Sequence, residues 1–157
     1  MENLRYCAPG HIFCRASKVM LAVDGSEGSA KAATVAFEVA EMTKSILYII
    51  NVVPTSVAQQ FSLISDSDLE EVLRKYEDAG RTLLEGTKVA ADEYNLEVEV
   101  ILEKGSPSER IILQAKELGV DLIVIGSKGA ASSLRSGVGS SAERVVLGSD
   151  CPVLVVK

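Results

Sequence analysis

The sequence contains no tryptophan, and aromatic residues make up only 4% of it. A platform that stacks successive bases needs such rings, so composition argues against a single-stranded nucleic-acid binder. Positive charge is short as well: 16 Lys plus Arg stand against 22 Asp plus Glu, for a net charge of −6. A nucleic-acid or anionic-membrane partner calls for a basic face, and this chain is acidic. No apolar run approaches the ~18 residues of a membrane-spanning helix. Residues 1–17 lack the apolar core of about 7–15 residues that marks a secretory signal. Three cysteines, Cys7, Cys14 and Cys151, are odd in number and irregular in spacing, so no disulfide framework is expected. These absences predict a cytoplasmic protein in a reducing compartment. The one histidine, His11, sits between Cys7 and Cys14. Structural zinc sites usually take four ligands, so no metal is assigned to this trio.

What is present suits one domain. A chain of 157 residues with 47% hydrophobic content can bury about 70% of its unfolded surface without disulfide or metal. Residues 1–17 include Pro9 and Gly10, show no sustained period, and read as an irregular extension; 18–157 read as the folded domain. Residues 18–23 are strand formers that break at Asp24-Gly25-Ser26-Glu27, a turn and helix start. Ala33, Ala36, Phe37 and Ala40 then repeat at helical spacing. Residues 46–53 form a second apolar strand, closed by Pro54. Residues 55–65 read as a loop, and Ser67 with Glu70 predicts a capping box opening a helix over 68–94, weakened by Gly80 and Gly86. Residues 97–102 alternate at their start and predict an edge strand. Ser106-Pro107-Ser108-Glu109 is a helix start, and Gly119 is its expected C-cap. Leu122 to Ile125 is wholly apolar and predicts a strand buried on both faces. A Gly/Ser-rich loop over 126–139 leads to a short helix over 141–147 and a last strand, Val153–Val156.

Apolar strands alternating with helices predict one Rossmann-like, doubly wound five-stranded parallel sheet, strand order 3-2-1-4-5, with helices on both faces. Ligands bind such sheets outside the carboxyl ends of the strands where the order reverses, here the first and fourth. Asp24 follows the first of these and Gly126 ends the second. Glycines let backbone amides approach an anion, and a helix N-terminus adds free N–H groups. Ser127, Ser140 and Ser141 add hydroxyls, and Lys128 and Arg135 add charge. A plain turn explains the loop equally well, and Ser140 with Glu143 reads as a capping box. Asp24 is open to the same two readings, helix cap or ligand contact. No Gly-x4-Gly-Lys-Ser/Thr occurs, and no Gly-x-Gly-x-x-Gly follows the first strand.

Gly126-x2-Gly129-x9-Gly139-Ser140 resembles the ATP-binding signature of the universal stress protein family at every fixed position. The flanks Ala22-Val23-Asp24-Gly25-Ser26, Asp121-Leu122-Ile123-Val124-Ile125-Gly126 and Cys151-Pro152-Val153-Leu154-Val155-Val156 are similar too. The resemblance covers 18–157. It implies a domain that binds ATP, with Mg2+ as an accompanying ion, and forms homodimers. It places Ala22, Val23 and Asp24 near the adenosine, Asp24 by the ribose or a metal. Val52 would read the adenine through its backbone. Ile125, Gly126 and Gly129 would approach ribose and phosphates, and Gly139, Ser140 and Ser141 would hold the phosphates. Lys128 stands where the family often has Arg or His, and Ser141 where it often has an apolar residue, so only their backbone roles carry over.

Hydrolysis needs a positioned water, a base and stabilised charge. Asp24 is the one carboxylate expected near the phosphates, which favours a regulatory nucleotide binder with at most slow ATP hydrolysis. The alternative is a homodimeric interaction scaffold holding another adenine nucleotide such as AMP, or none. A phospho-acceptor receiver domain shares this sheet order but would want clustered acids beside Asp24. The last strand, apolar until Lys157, predicts a sheet edge that pairs in a homodimer.

Overall fold

The computed structural model describes residues 16–130 and 138–157. Cys7, His11, Cys14 and Arg135 therefore lie outside the described residues, as does most of the extension.

Five strands form one parallel sheet: β1 (Lys18–Ala22), β2 (Ile46–Pro54), β3 (Val98–Gly105), β4 (Leu122–Gly126) and β5 (Val153–Val156), in the order 3-2-1-4-5. Between them run α1 (Glu27–Thr43), α2 (Thr55–Ser65), α3 (Leu69–Ala91) with a single 3-10 turn at Asp92–Tyr94, α4 (Pro107–Leu118) and α5 (Ser140–Gly148). The predicted architecture is the observed one.

Strand alternation builds two cores from the same few segments. Val19, Leu21 and Val23 face α1 and α3, together with Leu122 and Val124 of β4. Met20 and Ala22 face α4 and α5, together with Ile50, Val52, Ile123 and Ile125. Burial on both faces explains why these strands carry no polar alternation. Each fully buried Leu or Ile is worth about 1.5–3 kcal/mol of hydrophobic free energy, and Leu21, Ile49 and Ile123 are all completely buried.

Three local readings are corrected. Residues 55–65 are not a loop but the helix α2. Its apolar residues do repeat at helical spacing, yet Val57, Phe61 and Ile64 are exposed and only Ala58 is buried. Pro54 gives it no side-chain cap, so neither usual start signal is present. The cap of α3 is Asp68, whose carboxylate accepts from the Glu70 N–H, and not Ser67. The Ser67 hydroxyl turns back to Ser65, in the tight α2–α3 connection. Gly80 is also more than a weak point in α3. A Cβ there would lie 2.5 Å from Asn51 Oδ1 and 2.8 Å from Leu102, so its absence lets the helix settle on the sheet.

Candidate functional site

The carboxyl ends of β1, β2 and β4 meet at the reversal point, and each brings a differently built piece of backbone. After β1 the chain turns through Gly25 at φ +80°, a left-handed conformation that favours glycine. Ser26 then caps α1: its Oγ accepts from the Ser29 N–H at 3.1 Å. The two readings of Asp24 are thereby separated. It is not the cap but the brace behind it, with Oδ1 accepting from the N–H and Oγ of Ser26 at 3.0 and 2.6 Å. Oδ2 reaches across to the glycine loop and accepts from the Ala130 N–H at 2.7 Å.

β2 outlasts β1 at this end. The last paired residues are Ala22 and Ile50, and the Ile50 carbonyl accepts from the Val23 N–H at 2.9 Å. Successive residues of a strand point their backbone groups to alternate sides. Val52 therefore aims its N–H and C=O the same way as Ile50, past the end of β1. Val23 is committed differently: its N–H goes to Ile50, and its carbonyl accepts from Asn51 Nδ2 at 2.8 Å. Its side chain is buried toward α1 and α3, whereas Ala22, Val52 and Ile125 share the α4/α5 face.

The loop after β4 is tied at its start. The Ser127 N–H donates to the Val156 carbonyl at 2.7 Å, and the Gly139 N–H donates to the Ser127 carbonyl at 2.6 Å. The second bond folds the two ends of the signature together. Gly139 is the N-cap of α5, in extended conformation at φ −64° and ψ 152°, and has no side chain to offer. The expected Ser140–Glu143 capping box is therefore not built. Ser140 is the first helical residue, and both Ser140 and Ser141 are exposed. The first amides of α5 consequently lack the side-chain acceptor that normally satisfies one of them, and an uncapped helix start is an anion-binding arrangement.

The signature glycines do their work by closeness rather than by left-handed backbone. Among the described residues the positive-φ glycines are Gly25, Gly105 and Gly119, none of them in the signature. A Cβ on Gly126 would lie 2.6 Å from the carbonyl carbon and oxygen of Gly28, and one on Gly28 would strike the Lys128 carbonyl. A Cβ on Gly129 would lie 2.7 Å from Asp24 Oδ2. Gly139 is less confined, its nearest neighbour being the Ser127 carbonyl at 3.3 Å. Gly28 and the Ala130 amide thus belong to this site although no motif flagged them, and Ser26, quoted only as part of the β1 flank, belongs to it too. Gly28 was findable in principle, as a glycine in the first turn of an otherwise Ala-rich helix.

An open cleft of about 670 Å³ lies beside the loop, walled by Ser26, Gly28, Lys31, Lys128 and Lys157 among others. It takes in Lys128 and Gly129 but not Ala22, Val52, Ser140 or Ser141. The structure therefore groups the predicted site residues in two: an apolar floor of Ala22, Val52 and Ile125 with the α5 start, and a basic rim on the α1 side. Among the described residues no cluster of three or more His, Cys, Asp or Glu is placed to hold a metal ion. Nor is any helix of the described residues long and apolar enough to cross a membrane.

Fold and loop together define a Rossmann-like α/β domain with an uncapped helix start facing a glycine loop at its reversal point. The model of the Universal stress protein family matches residues 16–157. Universal stress protein YxiE of Bacillus subtilis is 34% identical over 146 residues, spanning 90% of this chain and 99% of its own. Universal stress protein UspA from Lactobacillus plantarum has a TM-score of 0.80 at 24% identity, over 91% of this chain and 99% of its own. The universal stress protein from Archaeoglobus fulgidus in complex with dAMP has a TM-score of 0.63 at 22% identity, over 90% of this chain and 98% of its own. The chain belongs to the universal stress protein family.

Proposed function

We propose that this protein is an ATP-binding regulatory protein that holds the nucleotide at the reversal point between β1 and β4. The observation that carries the reading is the start of α5. Gly139 leaves its amides uncapped, the Gly139–Ser127 bond folds the glycine loop against them, and two exposed hydroxyls stand beside them. Phosphates meet N–H donors and the positive end of the helix dipole there. Ser140 and Ser141 add charge-assisted hydrogen bonds, and Lys128 adds long-range attraction. The Val52 backbone, aimed past the end of β1, suits the hydrogen-bonding edge of an adenine, with Ala22 and Ile125 as its apolar floor. A family relative solved with dAMP supports the adenine-nucleotide class.

Mg2+ fits as a companion of the ligand rather than a resident of the protein. The phosphates would supply most of its ligands, as is usual for this ion, and Asp24, in the β1–α1 turn, is a carboxylate that reaches the loop. Asp24 is already engaged at Ser26 and Ala130, which favours a binding role with at most slow hydrolysis. The protein acts as a cytoplasmic homodimer joined through β5, the uncharged edge of the sheet.

Two measurements test this. Mass spectrometry of small molecules released from the denatured, purified protein should show ATP at a ratio approaching one per chain. Calorimetry on the emptied protein should show ATP binding more tightly than AMP. AMP as the retained and preferred ligand would favour the scaffold reading, and no adenine nucleotide in either experiment would overturn both.

A further inference from the structure

We infer that Asn51 is a positioning residue for base recognition: its side-chain amide takes the Val23 carbonyl and so keeps the Val52 N–H out of the sheet, as a donor for the ligand. This rests on the nucleotide reading of the site and adds to it the residue that sets the choice of base. The starting point is a polar residue in an apolar row. β2 is buried over 47–53, and alternation puts Asn51 on the same face as Leu47 and Ile49, both in the α1/α3 core. A buried side-chain amide costs free energy unless it is hydrogen-bonded, so its presence there calls for a polar task. Gly80 of α3 makes room for it, since a Cβ on that glycine would lie 2.5 Å from Asn51 Oδ1.

The task is visible at the end of β1. In a parallel ladder a residue donates its N–H to one carbonyl of the facing strand, and its own C=O accepts from the N–H two residues further along that strand. The Val23 N–H donates to the Ile50 carbonyl at 2.9 Å. The next rung would run from the Val52 N–H to the Val23 carbonyl. Among the described residues that rung is not formed. Asn51 Nδ2 donates to the Val23 carbonyl instead, at 2.8 Å. The carbonyl of a buried residue is thereby satisfied, and the ladder stops one rung early. Val52 keeps a donor and an acceptor side by side, aimed past the end of β1. That pair matches the N1 acceptor and the N6–H donor of an adenine. A 6-oxo purine reverses both, with an N1–H donor and an O6 acceptor. Without the Asn51 amide the Val23 carbonyl would draw in the Val52 N–H, and the half of the pair that meets N1 would be lost.

The test uses ATP and inosine triphosphate, which share ribose and phosphates and differ at the base edge. Calorimetry compares wild type with Asn51→Leu, a substitution of similar volume that suits the apolar row. Wild type should prefer ATP by roughly tenfold or more, the worth of one good hydrogen bond. Asn51→Leu should lose roughly tenfold in ATP affinity and change little toward inosine triphosphate, so that the preference collapses. A purely structural role would weaken the two nucleotides alike, and that result overturns the inference. An unchanged preference in Asn51→Leu, or equal binding of the two by wild type, overturns it as well and leaves the nucleotide reading standing. If wild type binds neither nucleotide, the nucleotide reading fails and the inference goes with it. Hydrogen exchange on ligand-free wild type needs no variant. The Val52 amide should exchange faster than the Ile50 amide one rung before it, and ATP should slow it. A Val52 amide as protected as that of Ile50 would mean that the rung is formed, and would sink the role of Asn51 even if Asn51→Leu fails to fold.

Discussion

Gly126 and Gly28 touch backbone to backbone: a Cβ on Gly126 would lie 2.6 Å from the carbonyl carbon of Gly28. The first glycine of the signature therefore brings the start of α1 onto the end of β4, which sets the distance between Asp24 and the loop. Gly126→Ala should destabilise the fold by about 1–3 kcal/mol, the usual cost of forcing a methyl against unyielding backbone. Gly28→Ala, which would strike the Lys128 carbonyl, should cost a similar amount. The double variant should cost less than the sum, because both methyls push the start of α1 away from the end of β4 and the residues after it, so one displacement accommodates the two. Urea midpoints on the three variants check this. A Gly126→Ala protein of unchanged stability that had lost ATP binding would make this glycine a ligand residue instead.

Asp121 shows how the same frame is pinned at the opposite end. Its Oδ2 accepts from the N–H groups of Ser17 and Lys18 at 2.8 and 3.0 Å and from the Ser17 hydroxyl at 3.2 Å, fastening the start of β1 to β4. The Ser17 N–H above all holds the carboxyl below its ordinary value of 3.8; burial pushes the other way, and the Lys18 N–H and the Ser17 hydroxyl add to the lowering. A carboxylate depressed in the folded state binds fewer protons there than in the unfolded chain. Its stabilisation is complete above the unfolded value and is lost as pH falls through the folded one. Asp121→Ala should cost about 1–2 kcal/mol at pH 7, from hydrogen bonds to a charged acceptor that solvent partly reaches. The gap to wild type should narrow steadily below pH 3.8. Urea titrations from pH 7 to pH 3 measure it, and a gap constant over that range would remove the carboxylate's charge from the explanation.

The order of the strands was legible because β1, β2 and β4 are buried on both faces and cannot hide a polar alternation. The signature spacing was legible because the loop is contiguous in sequence. What escaped had one physical character: it depended on residues distant in sequence being close in space. Gly28 looks like an indifferent helix residue until the Lys128 carbonyl is placed beside it. Asp24 stayed open between helix cap and ligand contact because a carboxylate just ahead of a helix start can serve as either, and only the folded loop shows its second oxygen engaged at Ala130. Ser140 read as a cap because Ser-x-x-Glu is a strong local pattern, but the bond from Gly139 to Ser127 moves the helix start back by one residue. Helix α2 was missed although its apolar residues repeat at helical spacing, because it has neither a side-chain cap nor an acidic residue in its first turn to mark a start.

The two sheet edges are treated differently. β3 carries Glu99, Glu103 and Lys104, whereas β5 carries no charge at all. Charges blunt an edge, and an apolar edge without them is a pairing surface. The Pro152 and Val156 carbonyls bond inward to β4, so by alternation Val153 and Val155 turn their N–H and C=O groups outward. Val155→Pro should therefore break dimer pairing while sparing the β4–β5 ladder, since proline is tolerated on an edge when its missing N–H faces away from the sheet. A Val155→Lys change is a poorer probe, because this side chain packs partly against the α4/α5 core. Wild type should sediment as a dimer at micromolar concentration and Val155→Pro as a monomer with an unchanged circular dichroism spectrum. Wild type sedimenting as a monomer would sink the assignment of β5 as the interface.

Gly139 and Ser140 separate the two jobs of the loop. Gly139 lies in ordinary extended conformation, and a single Cβ there would meet the Ser127 carbonyl at 3.3 Å and the Gly129 nitrogen at 3.6 Å, tight but bearable. Branching at the next carbon is a different matter. The methyls of Gly139→Val would crowd the folded ends of the loop and cover the α5 amides that the phosphates need, so ATP binding should be lost while the sheet, which does not depend on the loop, stays folded. Ser140→Ala removes only a hydroxyl. Because Gly139 and not Ser140 is the N-cap, no cap is forfeited, and stability should change by less than about 0.5 kcal/mol, as at an ordinary surface position. ATP affinity should fall by about 1–2 kcal/mol for one charge-assisted hydrogen bond, roughly five- to thirtyfold. Calorimetry beside urea denaturation on both variants reads the two quantities independently. A Ser140→Ala protein that lost stability but bound ATP as tightly as wild type would return Ser140 to a purely structural role at the start of α5. A folded Gly139→Val protein with undiminished ATP affinity would leave the glycine loop a turn and nothing more.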